Sequence, residues 1–144
     1  MKFTHNAIEA KDISKTIEFY EDFCELRIVK DRRDLITRSP QFEGATRRVV
    51  WMAPKAEASP LFVIIEETTR DEKTDSFVRH FGFEVETREK VDFLYKKALN
   101  KSYKVVEPRD MGDFLGYLFL VKDPDGRFVE FTAGQKVEPE GWDI

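Results

Sequence analysis

The stretch THNAIEAKDISKTIEFYED, beginning at Thr4, returns in altered form as RHFGFEVETREKVDFLYKK, beginning at Arg79. A slide of 75 positions (80 − 5) lays His5 on His80, Glu9 on Glu84, Ala10 on Val85, Lys15 on Lys90 and Tyr20 on Tyr95. A repeat of this length constrains the fold more than any local pattern, because each copy must be the same supersecondary unit. KFTHNAIEA alternates as a strand does, and SKTIEFYEDFCEL carries Ile17, Tyr20, Phe23 and Cys24 at helical spacing behind a cap at Asp12 or Ser14. LRIVKD, TRRVVWMA and LFVIIEE follow as three further strands. The second half repeats the order with HFGFEVE, a helix over REKVDFLYKKAL with Asn100 as a left-handed cap, and YKVVEP. It ends in a hairpin of FLGYLFLVKD and RFVEFTA across the turn DPDG. The expected fold is α+β: two tandem βαβββ modules, about residues 1–68 and 78–133, forming a curved mixed-sheet cup with the helices outside. We expect one domain over residues 1–144, with a tail from 135 to 144.

Composition narrows the function classes. A chain of 144 residues with 41% apolar content buries one ordinary core, and 36% charged residues of both signs give it a polar surface. A net charge of −4 argues against a nucleic-acid footprint, which needs clustered cations without interleaved acids. KDRRD, Lys30 to Asp34, therefore reads as a solvated turn or strand edge. Cys24 is the only cysteine, so neither a disulfide framework nor a cysteine zinc cluster is expected. No apolar run approaches the roughly 20 residues of a membrane span, and the first ten residues carry no signal-peptide pattern. The expected location is cytoplasmic.

Side chains alternate across a strand, which assigns the chemically capable residues to faces. Phe3, His5, Ala7 and Glu9 share one face, and His80, Gly82 and Glu84 share another, opposite the Phe81, Phe83 and Val85 that suit a helix. By the same count Glu130 stands with Phe128 and Thr132, and Glu66 with Phe62 and Ile64, although the adjoining Glu67 leaves a one-residue shift open. Two histidines and two carboxylates on one cavity would suit a borderline-to-hard divalent ion such as Ni, Zn, Co, Mn or Fe. A lone strand histidine is ordinarily a satisfied residue, but these are the chain's only two, at equivalent points of a repeat.

FTHNAIEAKDISKTIEFYEDF, RHFGFEVETREKVDFLYKKAL and VKDPDGRFVEF together resemble the vicinal oxygen chelate superfamily, the group of glyoxalases, bleomycin resistance proteins and extradiol dioxygenases. DPDG followed by Glu130 is the most specific element. The resemblance implies metal ligands on the first and fourth strands of each module, here His5, Glu66, His80 and Glu130, and is closest to glyoxalase I. It further implies a metal-dependent, lactoylglutathione lyase-like enzyme acting on a small α-hydroxycarbonyl or thiol adduct, with Glu130, or Glu66, moving the proton. The fosfomycin and dioxygenase branches use three protein ligands. Glutathione-dependent members tend to carry arginine where Glu9 stands, and Glu84 adds a second acid, so the thiol partner departs from the pattern. The competing reading is a ligand-binding or drug-resistance protein, with or without metal, or a ring-cleaving dioxygenase-like enzyme. Phe62, Tyr117, Phe119 and Glu9 are expected to line the substrate site. A homodimer with a small-molecule substrate is expected, without nucleic acid or membrane. Trp142 in the tail is expected to dock on the protein, since burying a large aromatic is worth about 2–3 kcal/mol.

Overall fold

The structure is a computed structural model that describes residues 5–35, 46–54, 62–68, 80–113 and 115–135, with backbone alone at 34, 35 and 62. Trp142 and the tail from 136 lie outside the described residues. The chain forms two units, Met1–Lys73 and Thr74–Ile144. Each is a four-stranded mixed sheet with one helix, as the repeat predicts.

In the first unit β1 (His5–Ala10), α1 (Ile13–Cys24), β2 (Leu26–Leu35), β3 (Thr46–Pro54) and β4 (Phe62–Glu67) give the sheet order β1-β4-β3-β2. β1 runs parallel to β4, and the other pairs are antiparallel. Asp12 starts α1 by accepting the Lys15 N–H at 3.1 Å, which decides between the two cap candidates. The helix turns Ile13, Ile17, Phe19, Tyr20 and Phe23 into the core and packs on β2 and β4. Ile8, Ala10, Val50, Met52 and Ile65 meet it from the sheet. β2 is longer than LRIVKD suggested, because KDRRD continues the strand along the sheet edge. Val29 is an extra residue between the Ile28–Met52 and Lys30–Trp51 pairs, so side-chain parity shifts there.

α1 ends on Glu25 at φ 53°, with its N–H reaching back to the Tyr20 carbonyl. A left-handed non-glycine residue costs about 1 kcal/mol, which glycine avoids. Glu25→Gly is therefore expected to stabilise the protein by about 0.5–1 kcal/mol, read as a higher urea midpoint. An unchanged or lower midpoint would mean that Glu25's other contacts outweigh the strain.

The second unit repeats the plan with β5 (His80–Glu84), α2 (Arg88–Asn100), β6 (Val105–Asp110), β7 (Tyr117–Lys122) and β8 (Phe128–Ala133), in the order β5-β8-β7-β6. Thr87 caps α2 by accepting the Lys90 N–H at 3.1 Å, and Val91, Leu94 and Ala98 face the sheet. The left-handed residue after α2 is Ser102, at φ 61°, rather than Asn100, which is still helical. DPDG closes β7 onto β8 as expected. Gly126 sits at φ 86°, and Asp123 exchanges backbone hydrogen bonds with Arg127 and Gly126. No helix among the described residues is long and apolar enough to cross a membrane.

Candidate functional site

The second unit brings two of the expected ligands into contact. β5 lies parallel to β8 with His80 opposite Phe128 and Gly82 opposite Glu130. Glu130 is thus one diagonal step from His80 on the same face, and its Oε2 lies 3.1 Å from His80 Nε2. Gly82 leaves the space directly across from the carboxylate open; a Cβ there would stand 3.9 Å from Glu130 Oε1. Thr132, next on that face, donates its hydroxyl to Oε1 at 2.5 Å. Thr132 is itself buried, and the Glu130 side chain is only 13% exposed. A carboxylate so withdrawn from water needs polar partners, and these two supply them. Two metal donors at bonds of about 2.1 Å and a right angle stand about 3.0 Å apart, so the His80–Glu130 spacing suits adjacent positions on one ion. Leu118, Leu120 and Lys122 of β7 share the face by register, and Lys122 Nζ lies 5.0 Å from the Phe128 ring centre.

Tyr117 and Phe119 are on the other side of the sheet. β7 pairs Phe119 with Phe131 and Leu120 with Glu130, so odd-numbered β7 residues face α2. Phe119 is fully buried against Phe131 and Tyr95, at 5.5 and 5.9 Å between ring centres. Tyr117 donates its hydroxyl to Asp92 of α2 at 2.6 Å. That carboxylate raises the phenol's pKa above its ordinary value. The expectation that these two aromatics line the substrate site is corrected: they build the helix interface. The Phe62 side chain lies outside the description.

In the first unit His5 and Glu66 share a face but not a neighbourhood. His5 pairs with Phe62 and Glu66 with Glu9, four residues along parallel strands, or about 13 Å. Aligning the two sheets by their histidines (His5 on Phe62, His80 on Phe128) places Ile64 at the position of Glu130 and Glu66 at that of Thr132. Glu66 as the partner of His5 in a ligand set is therefore corrected: a branched alkyl side chain stands at that point. The choice between adjacent glutamates is also decided, since Glu67 faces the other way and accepts the Arg48 N–H at 3.1 Å.

Glu66 instead meets Arg47, with Oε2 3.0 Å from Nη1. Arg47 lies on β3 four residues before Trp51 and on the same face, and the Lys30 ammonium and the Arg32 guanidinium of β2 stand 5.9 and 5.7 Å from the indole centre. His5 approaches the same ring at 6.3 Å between centres. Among the described residues Arg47 Nε is buried without a hydrogen-bond partner, which costs about 1–3 kcal/mol. On the opposite face Arg48 uses its Nε and Nη2 as a fork on Asp31, at 3.0 and 2.7 Å. That pairing holds the Asp31 carboxyl below the usual carboxylate range. Sequence reasoning missed Thr132, Arg47, Trp51, Lys30 and Arg32. The every-second-residue cations of KDRRD were the visible signal. Among the described residues no three His, Cys, Asp or Glu side chains gather as a ready metal cluster, so the contact pair His80–Glu130 is the centre of the candidate site.

Comparison with known proteins agrees with this architecture. The sequence model described as Glyoxalase/Bleomycin resistance protein/Dioxygenase superfamily matches residues 2–131. An uncharacterized protein of Pseudomonas aeruginosa is 34% identical over 137 residues, covering 94% of this chain and 91% of its own. A mutant of the fosfomycin resistance protein FosX from Listeria monocytogenes, complexed with Mn(II) and 1S,2S-dihydroxypropylphosphonic acid, superposes with TM-score 0.72 at 16% identity, covering 96% of each chain. The trypanothione-dependent glyoxalase I of Leishmania major superposes with TM-score 0.67 at 19% identity, covering 93% of this chain and 87% of its own.

Proposed function

The chain belongs to the glyoxalase/bleomycin resistance protein/dioxygenase superfamily, and on that premise we propose that it is a divalent-metal enzyme whose second unit holds the ion through His80 and Glu130. The observation that carries this is the contact of His80 Nε2 and Glu130 Oε2, with Thr132 holding the second carboxylate oxygen. A neutral imidazole and an anionic oxygen suit Mn, Fe, Co, Ni or Zn, and a hydroxyl behind the carboxylate is the outer support that such ligands need. His5 occupies the equivalent position on the sheet of the first unit. The four-ligand pattern of glyoxalase I is not proposed, because Ile64 stands at the point equivalent to Glu130.

When bound, the ion would supply Lewis acidity to two neighbouring oxygens of a small substrate. His80 and Glu130 hold the donor geometry, while Thr132 prevents the carboxylate from rotating away. The apolar Leu118 and Leu120 beside them lower the local polarity, which strengthens every charge interaction at the site. Glu84 places an acid on the face of the second sheet that carries His80, which disfavours the carboxylates of glutathione there. Each sheet leaves two edge strands, an opening that supports the expected pairing with a second copy.

The test is metal uptake by chelator-treated protein, followed by the electron paramagnetic resonance of added Mn(II), the ion held by the Listeria relative. Wild-type protein should bind saturably. His80→Ala should weaken binding by at least 10–100-fold, the range for loss of a ligand or its support, and Glu66→Gln by less than about threefold. No saturable uptake of Mn, Fe, Co, Ni or Zn by folded wild-type protein would leave the metal-free ligand-binding reading.

A further inference from the structure

The face of the first sheet that carries His5 also holds Lys30, Arg32 and Arg47, alongside Glu9, Glu66 and, by register, Asp34. Register through the Val29 bulge sets Lys30 opposite Trp51 and Arg32 opposite Val49, while Arg47 occupies the same side of β3. Lys30 and Arg32 thus flank the indole, while Arg47 lies four residues along β3 with Asp34 opposite it in register and Glu66 and Glu9 on the neighbouring strands. A solvated edge needs no such arrangement, because freely hydrated lysine and arginine side chains spread away from one another.

Arg47 distinguishes this group from ordinary sheet-surface charge. Its side chain is 17% exposed, so it is held rather than free, and Glu66 fixes Nη1 at 3.0 Å. Among the described residues the guanidinium's Nε has no hydrogen-bond acceptor. One residue on, Arg48 shows what the Nε edge does when satisfied, gripping both oxygens of Asp31. A planar fork with one end anchored and the other unfilled suits two oxygens of one anionic group.

We propose that this face binds a compact oxyanion, the carboxylate or phosphonate of a small substrate. Arg47 takes the bidentate contact, with Glu66 as its positioning residue. Arg32 and Lys30 supply the attractive field, and the indole of Trp51 on the same face lies close enough to both to report on it. Glu66 thereby has a role other than metal ligation. Calling the bearer of the anion a substrate rests on the proposed metal-enzyme reading; the anion site itself needs no metal.

The experiment uses full-length protein with Trp142→Phe, which leaves Trp51 as the only indole. Methylphosphonate and acetate are titrated separately at fixed ionic strength, without metal, while indole emission is recorded. At least one of them should change the emission saturably. Arg47→Met should weaken that binding at least tenfold and Arg32→Ser at least threefold, whereas Arg33→Ser on the opposite face should leave it unchanged. Glu66→Gln should also weaken it while leaving Mn(II) uptake intact. Arg32 is exposed, so its variant remains informative even if Arg47→Met fails to fold. Absence of saturation with either anion, or an equal effect of Arg33→Ser, overturns the proposal. Loss of Mn(II) uptake with undiminished anion binding in Glu66→Gln removes Glu66 from its assigned role. Wild-type protein that binds methylphosphonate or acetate but no metal would sink the metal-enzyme reading and leave the anion site standing.

Discussion

Asp123→Ala is expected to destabilise the protein by about 3–5 kcal/mol, the cost of stripping a buried charge of its partner. The Asp123 side chain is 0% exposed, and its oxygens accept the N–H groups of Asp125 and Arg127, both at 2.9 Å, and Arg127 Nη1 at 3.1 Å. Removing it leaves Arg127, 9% exposed, with Asp125 at 3.6 Å as the remaining acid, which sets the loss nearer the lower end. Asp123→Asn keeps an acceptor for the backbone donors but not the charge, and should cost less. Urea unfolding followed by circular dichroism measures both. A loss below about 1 kcal/mol for alanine would show that the turn tolerates the orphaned cation. The effect should reach the site as well, because Glu130 stands three residues beyond Arg127 on the strand that this turn launches. Mn(II) affinity should fall in Asp123→Ala even where the protein remains folded.

Phe119→Ala should cost about 3–5 kcal/mol, since a fully buried aromatic leaves a cavity between α2 and β8 that Tyr95 and Phe131 cannot fill. The same variant separates two readings of the residue. As part of the helix interface, Phe119 should affect stability alone, with Mn(II) affinity of the folded protein within about threefold of wild type, a change worth under 1 kcal/mol. A large loss of metal affinity with little loss of stability would return it to the substrate site.

These cases mark where the sequence was readable. Two βαβββ units, their strand order and the outward histidines were legible because the repeat, the DPDG turn and the Phe81/Phe83 alternation each fix a local choice. Glu130 was legible for the same reason, being counted from a turn whose position is certain. Glu66 was not, because its neighbours depend on how β1 and β4 slide past each other, and nothing in LFVIIEE records that register. Relative to His5, the residue equivalent to Glu130 is Ile64, two positions before Glu66. Tyr117 and Phe119 were misplaced for a related reason: FLGYLFLVKD is apolar at both parities, so hydrophobicity does not tell which side is buried. Thr132 was already on the Glu130 face, but a threonine in a strand is too common to single out. Arg47 became visible only when Glu66 was found beside it.

The extra residue in β2 decouples the two ends of that strand. Leu26, 3% exposed, belongs to the core on one side of the bulge, and Lys30 and Arg32 reach the indole on the other. Pairing is regular on both sides, with Ile28 on Met52 and Lys30 on Trp51, so Val29 adds length without setting the facing of any neighbour. Val29 is itself 41% exposed and leaves little apolar surface to lose. Loss of its codon would join the two regular stretches with every other side chain still on its present face. An insertion or deletion is ordinarily ruinous inside a strand, and here one can drift through a lineage unnoticed.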